Sequence, residues 1–221
     1  MAVNAAAFHS LTTELAAKNV TLVAVSKTKP ATDIEELYNL GQRHFGENYV
    51  QELADKQLAL PPDIHWHFIG HLQSNKVKYI APFVYLIHGV DSYKLLVEIN
   101  KQAMKNNRTI QCLLQIHIAE EETKFGLNEA ELDELLRNYK NDNLSNVAIK
   151  GFMGMASFTN DANQVTKEFI HLKTLFDLYK TAFNLGVLSM GMSGDYQLAV
   201  ENGSNMVRIG SLLFGERNYT K

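Results

Sequence analysis

The sequence predicts an α/β fold, a single (β/α)8 barrel of the TIM type with one extra helix at its N-terminus. Three observations predict it. Short apolar runs recur eight times along 221 residues. The stretches between them carry helical periodicity, and an alternation of this kind closes into a parallel barrel of about this size. No glycine-rich phosphate turn follows the first run, as an open doubly wound sheet would require; that run leads into Ser26-Lys27-Thr28-Lys29-Pro30.

The eight candidate strands are 22–26, 44–46, 66–70, 84–88, 110–118, 147–153, 187–191 and 206–210. The second is the shortest. A helix over 5–18 precedes the first strand. After Pro30, Thr32-Asp33-Ile34-Glu35 reads as a capping box, with Gly41 as the stop. Asp91-Ser92 opens a helix through Met104. Asn128 opens another, with Glu131 three residues on. The longest helix covers about 163–185. Its apolar residues Val165, Phe169, Leu172, Phe176, Tyr179 and Phe183 recur at spacings of four and three, which marks one buried face. The four prolines fall at junctions, and no linker or low-complexity tract divides the chain, so residues 1–221 are expected to form one domain.

Composition narrows the function. Hydrophobic residues make up 46% and charged residues 20%, as in a protein with a sizeable core. The net charge of −3 argues against a nucleic-acid partner. No apolar run is long enough for a membrane span, and the first residues lack the pattern of a secretory signal. The single cysteine, Cys112, sits in an apolar run and reads as a buried, inert thiol. It suits a reducing compartment, so a cytoplasmic location is expected.

In a barrel, chemistry collects where strands end. The first strand ends in Val25-Ser26-Lys27-Thr28-Lys29-Pro30. Alternation puts Val23, Val25 and Lys27 on one face and Leu22, Ala24 and Ser26 on the other. A lysine at the mouth of an apolar strand is costly to desolvate, which favours the nucleophilic neutral amine, and Lys29 would share the side of Lys27 if the strand continues, supplying a neighbouring positive charge. Two solvated lysines at a strand exit are the alternative. After the second strand, Glu47 and Asn48 either orient a ligand or cap the next helix. His65, His67 and His71 invite a zinc reading, but no acidic or cysteine ligand lies at a typical spacing, so packed histidines or a polar wall are expected, and no metal. The last two strands end in Gly191-Met192-Ser193-Gly194-Asp195 and Arg208-Ile209-Gly210-Ser211. Their glycines and serines offer the backbone N–H groups and hydroxyls that a phosphate needs, or serve tight turns alone. Strand eight closes on strand one. A reactive lysine beside a phosphate cradle describes an aldehyde-bearing phosphate held covalently. Pyridoxal 5′-phosphate (PLP) is the obvious candidate, and a Schiff-base aldolase acting on a sugar phosphate is the other.

The motifs Val23-Ala24-Val25-Ser26-Lys27-Thr28-Lys29-Pro30, Phe45-Gly46-Glu47-Asn48-Tyr49-Val50-Gln51-Glu52, Trp66-His67-Phe68-Ile69-Gly70-His71-Leu72-Gln73, Leu188-Ser189-Met190-Gly191-Met192-Ser193 and Val207-Arg208-Ile209-Gly210-Ser211 resemble the YggS/PROSC family of pyridoxal phosphate homeostasis proteins. The similarity runs from about Leu22 to Arg217. It implies the N-terminal barrel of alanine racemase, PLP fold type III. It implies an internal aldimine on Lys27, with Asn48, Ser193, Gly194, Ile209, Gly210 and Ser211 at the cofactor and Arg208 facing its pyridine nitrogen. Family members are PLP carriers in vitamin B6 balance without established catalysis. A guanidinium only donates, so it leaves the ring nitrogen unprotonated and the ring a poor electron sink. The chain ends at Lys221 without an appended β-domain that would supply a second-face tyrosine. A PLP carrier or buffer is therefore expected, with a low-activity amino-acid racemase as the alternative. PLP-dependent apo-enzymes are the expected recipients, with Lys29 or Lys124 as candidate relay amines. A monomer is the default.

Overall fold

A computed structural model describes residues 3–121 and 125–215. Its strands are β1 (Thr21–Val25), β2 (His44–Glu47), β3 (His65–Phe68), β4 (Leu86–Val90), β5 (Ile110–Gln115), β6 (Val147–Met153), β7 (Val187–Ser189) and β8 (Met206–Ile209). All pair in parallel in chain order, and β8 returns to β1 through Val23↔Arg208 and Ala24↔Ile209, so the sheet is the closed barrel the sequence predicts. Parallel strands bury both faces, which is why they read as continuous apolar runs and not as alternating ones. One face feeds the barrel interior, where Val23, Leu86, Leu113, Met153 and Met206 pack together. The other meets the helices, with Leu22, Ala24, Phe45, Trp66 and Ile209 in that outer layer. The expected alternation of Val23 against Leu22 and Ala24 therefore holds.

Nine helices are found among the described residues: α1 (Ala5–Ala17), α2 (Ala31–Asn39), α3 (Val50–Ala59), α4 (Val77–Ile80), α5 (Tyr93–Lys105), α6 (Glu129–Asn141), α7 (Ala162–Phe183), α8 (Tyr196–Glu201) and α9 (Ser211–Phe214). The N-terminal helix α1 is present, capped by Asn4 Oδ1 accepting from Ala7 N at 3.0 Å. Asn128 and Glu131 form a full capping box on α6. In α7 the face Val165, Phe169, Leu172 and Phe176 is buried, and Tyr179 and Phe183 pack partly buried against it. The capping box expected at Thr32 does not form. Pro30 is the N-cap and α2 already begins at Ala31, so Thr32 lies inside the first turn, where its side chain no longer faces the free N–H groups. Strand five stops at Gln115, short of the expected 118.

Cys112 is fully buried and burial pushes its thiol far up, in line with an inert core residue. No helix among the described residues is long and apolar enough to cross a membrane. Closure of the barrel between β6 and β7 depends on a bare backbone at Gly151. A Cβ there would stand 1.7 Å from Val187 O. Gly151→Ala is expected to destabilise the protein by about 3 kcal/mol, the upper end for overpacking, because rigid strand backbone must move. A denaturant midpoint unchanged from wild type would show that the strands can separate at no cost.

Candidate functional site

The chain leaves β1 at Val25 and turns at once. Lys27 is half-buried in this turn, at the C-terminal mouth of the barrel. Thr28 takes a left-handed conformation, φ 64°, which is uncommon for a β-branched residue. The turn is held from both sides. Thr28 N donates to Glu52 Oε1 at 2.6 Å. Lys56 Nζ donates to Ser26 O at 2.8 Å, to Glu47 Oε1 at 2.7 Å and to Glu52 Oε1 at 2.7 Å. Ser26 Oγ donates to Glu47 Oε1 at 2.6 Å. Burial pushes the Glu47 carboxyl up to about 7, outweighing the pull of Lys56 and Ser26 in the opposite direction. Glu47 does not cap α3, whose N-cap is Tyr49, and it braces the segment that carries Lys27. Lys56 drew no expectation from the sequence. Its spacing of four from Glu52 was the available signal, and that spacing alone marks an ordinary surface pair.

The condition for Lys29 to share the side of Lys27, a strand that continues, is not met. The strand ends before Lys29, whose Nζ donates to Phe214 O at 2.7 Å, at the end of α9. Lys124 lies outside the described residues.

Asn48 follows β2 at the same mouth, held where Gly70 packs on its backbone: a Cβ on Gly70 would stand 2.3 Å from Asn48 O. It does not cap α3, whose N-cap is Tyr49. Its Oδ1 is buried and has no hydrogen-bond partner among the described residues. A buried acceptor without a partner is unfavourable on its own and suits a ligand that brings a donor.

The ends of β7 and β8 meet each other and β1. Gly191 turns with φ 95° and its carbonyl accepts from Arg208 N at 3.0 Å. Gly210 N donates to Ser193 Oγ at 3.2 Å. A Cβ on Gly210 would lie 3.3 Å from Val25 O, two residues before Lys27. Gly194 and Ser211 are exposed, with open space at Gly194. Ile209 differs from its neighbours: its side chain is in the outer core, so only its backbone faces this loop cluster.

Arg208 points into the barrel and is almost fully buried. Its NH1 donates to Ser189 O at 2.9 Å and Ser189 Oγ at 2.7 Å, and NH2 donates to Gly154 O at 3.0 Å. Burial lowers its guanidinium to about 10, against the opposing effect of Asp195, so it stays charged at neutral pH. Beneath it the interior is lined by imidazoles. Burial lowers His44 to about 4 and holds His67 and His88 well below the usual histidine range. His65 and His67 do share a face, as expected. Among the described residues no three His, Cys, Asp or Glu are arranged to hold a metal.

Comparison with known proteins bears on this geometry. The family model described as "Alanine racemase, N-terminal domain" matches residues 5–218. The pyridoxal phosphate homeostasis protein of Aquifex aeolicus is 43% identical over 201 residues, 90% of this chain and 87% of that one. The human protein of the same name is 42% identical over 214 residues, 90% and 78% of the two chains. Among solved structures, PipY of Synechococcus elongatus PCC7942, with PLP bound, superposes with a TM-score of 0.87 at 36% identity, covering 96% of this chain and 99% of PipY.

Proposed function

The chain belongs to the alanine racemase N-terminal domain family and, within it, to the pyridoxal phosphate homeostasis proteins, and from that premise we propose that it holds PLP at the C-terminal mouth of its barrel through the amine of Lys27. The observation that carries this reading is the contact between the end of β1 and the β8 loop. Gly210 lies against Val25, so the turn bearing Lys27 and the Ser193–Gly210 cluster form one wall. PLP supplies a carbonyl carbon for covalent attachment and a ring that can take up electron density.

The residues present fit such a group. Ser193, Gly194 and Ser211 offer hydroxyls and backbone N–H groups for a phosphate, Gly210 N–H orients the Ser193 hydroxyl by donating to its oxygen, and the backbone of Ile209 adds to that loop. Asn48 Oδ1, buried and unpartnered, suits the ring's hydroxyl. Arg208 is aimed into the barrel from beside that loop, and its charge and lack of any acceptor disfavour a proton on the ring nitrogen. The Glu47–Lys56–Glu52 brace keeps the Lys27 turn in one conformation, so attachment requires little reordering.

The role proposed is that of a PLP carrier or buffer in vitamin B6 homeostasis, passing PLP to apo-enzymes. The test is a visible absorption spectrum of the PLP-loaded protein before and after borohydride, with mapping of the modified peptide. The expected result is a visible band that borohydride removes, with the modification on Lys27 and no band in Lys27→Ala. A band that persists in Lys27→Ala would overturn the assignment. The family model's own description favours a second reading, a weak amino-acid racemase. Deuterium wash-in at Cα across a panel of amino acids supports it, and no exchange removes it.

A further inference from the structure

A single line of hydrogen bonds crosses the barrel interior, from Arg208 to the N-terminal mouth. Ser189 Oγ accepts from Arg208 NH1 at 2.7 Å and lies 3.3 Å from His88 Nδ1. His88 Nε2 lies 2.8 Å from His67 Nδ1. His67 Nε2 lies 2.9 Å from His44 Nδ1, and His44 Nε2 lies 3.4 Å from His65 Nδ1. Ser189, His67 and His88 are fully buried. His44 and His65, the first residues of β2 and β3, are only partly so, and Tyr85 stacks on the His65 ring at 4.3 Å. Five strands contribute one or two members each, so the line is a product of barrel closure.

The direction of every bond follows from its one fixed end. A guanidinium has donors only, so Ser189 Oγ must accept from Arg208. The Ser189 hydroxyl has one proton, and among the described residues His88 Nδ1 is the acceptor within reach. Were His88 to donate instead, a fully buried hydroxyl proton would be left without an acceptor, which buried groups avoid. His88 Nδ1 therefore accepts and its proton sits on Nε2. A neutral imidazole has one donor and one acceptor nitrogen. His88 Nε2–H then donates to His67 Nδ1, His67 Nε2–H to His44 Nδ1, and His44 Nε2–H to His65 Nδ1. All four rings carry the proton on Nε2. An imidazolium, with two donors, has no place in the line unless a neighbour turns its proton over.

We propose that His88, acting through the Ser189 hydroxyl, is a positioning residue for Arg208, and that the ordered line His88–His67–His44–His65 extends this control from the ligand mouth to the opposite mouth of the barrel. The line aims the Ser189 lone pair at Arg208 NH1, and Ser189 O and Gly154 O complete the cradle. The guanidinium is thereby presented in one orientation. That its free side meets the PLP ring nitrogen rests on the function proposed above; the tautomer order does not.

The two parts are tested separately. In protein labelled with ¹⁵N at histidine, long-range ¹H–¹⁵N spectra report the tautomer of each ring. The expected result without ligand is an Nε2–H pattern for His44, His65, His67 and His88. An Nδ1–H pattern at any of them overturns the ordered line. Ser189→Ala removes the hydroxyl that sets the direction, and the His88 ring is expected to lose its single tautomer, with Ser189→Thr restoring it. An unchanged His88 in Ser189→Ala overturns the positioning role, since a role in packing alone would leave the tautomer untouched. If Ser189→Ala fails to fold, the wild-type pattern and the Ser189→Thr spectrum still decide. With PLP loaded, Ser189→Ala is expected to retain the cofactor on the order of tenfold less tightly, and Ser189→Thr to recover it. Equal retention in all three overturns the link to the ligand. If the wild-type protein takes up no PLP at all, the proposed function fails while the tautomer result stands.

Discussion

Lys56→Met is expected to destabilise the folded protein by about 3–5 kcal/mol above the Glu47 transition, the range for removing one partner of a buried ion pair. Lys56 is buried and uses its ammonium on three acceptors, Ser26 O, Glu47 Oε1 and Glu52 Oε1. Methionine keeps most of the volume and removes the charge. Glu47 is then fully buried with Ser26 Oγ alone on one oxygen, and with no partner on the other. The Lys56 charge opposes the upward push of burial on Glu47, so its removal raises that carboxyl further and drives it neutral. The loss should therefore shrink on the acid side of pH 7, where Glu47 takes up a proton. Denaturant midpoints measured on both sides of that value check the sign and the size. A loss below about 1 kcal/mol at alkaline pH would mean the trio acts as a surface pair. The same substitution loosens the turn that presents Lys27, so slower PLP uptake should accompany it.

Stability is expected to fall as the pH drops from 6.5 toward 4. His67 and His88 are held well below the usual histidine range by burial first and neighbouring charges second, and His44 is lowered to about 4. Below 6.5 the unfolded chain binds protons at these sites and the folded barrel does not, so stability rises with pH across the window. Glu47 works the other way. Its folded value, about 7, lies above the ordinary 4.5, so between these the folded state holds the extra proton. The three imidazoles outnumber the one carboxyl by a net of about two protons. The slope is then about 2.7 kcal/mol per pH unit at its steepest, and smaller to the extent that water reaches His44. Urea midpoints between pH 6.5 and 5 measure it. Glu47→Gln should steepen the slope by about one proton, because the opposing group is gone. A flat profile would mean that water enters the barrel interior and the imidazoles titrate normally.

Most of the architecture was legible in the sequence because it rests on local patterns. Apolar runs that spare neither face mark parallel strands, and the four-and-three spacing of Val165 through Phe176 marks α7. Asn128 with Glu131 marks the start of α6 through two residues on one turn. The motifs at Lys27, Ser193 and Arg208 were legible because each is contiguous and falls at a strand end. The expectation for Thr32 failed at the same scale: a proline two residues earlier had already begun the helix. Whether Lys29 shares the side of Lys27 depended on where the strand ends, because alternation holds only while the strand lasts, and β1 stops at Val25.

By itself, then, the chain's residue pattern determined a closed eight-stranded barrel, its N-terminal helix, the buried thiol and the strand ends where chemistry gathers, since all follow from local patterns: unbroken apolar runs for the strands and the thiol, and spacings of three and four residues for the helices. Only the tertiary structure decided what surrounds Lys27 and Arg208. Glu47, Glu52 and Lys56 reach the Lys27 turn from a different strand and helix. The histidines that line up behind Arg208 come from β2, β3 and β4, and Ser189 from β7. Closing the sheet brings together side chains more than a hundred residues apart, and in that dry interior a donor or acceptor must find its partner wherever the backbone has placed one.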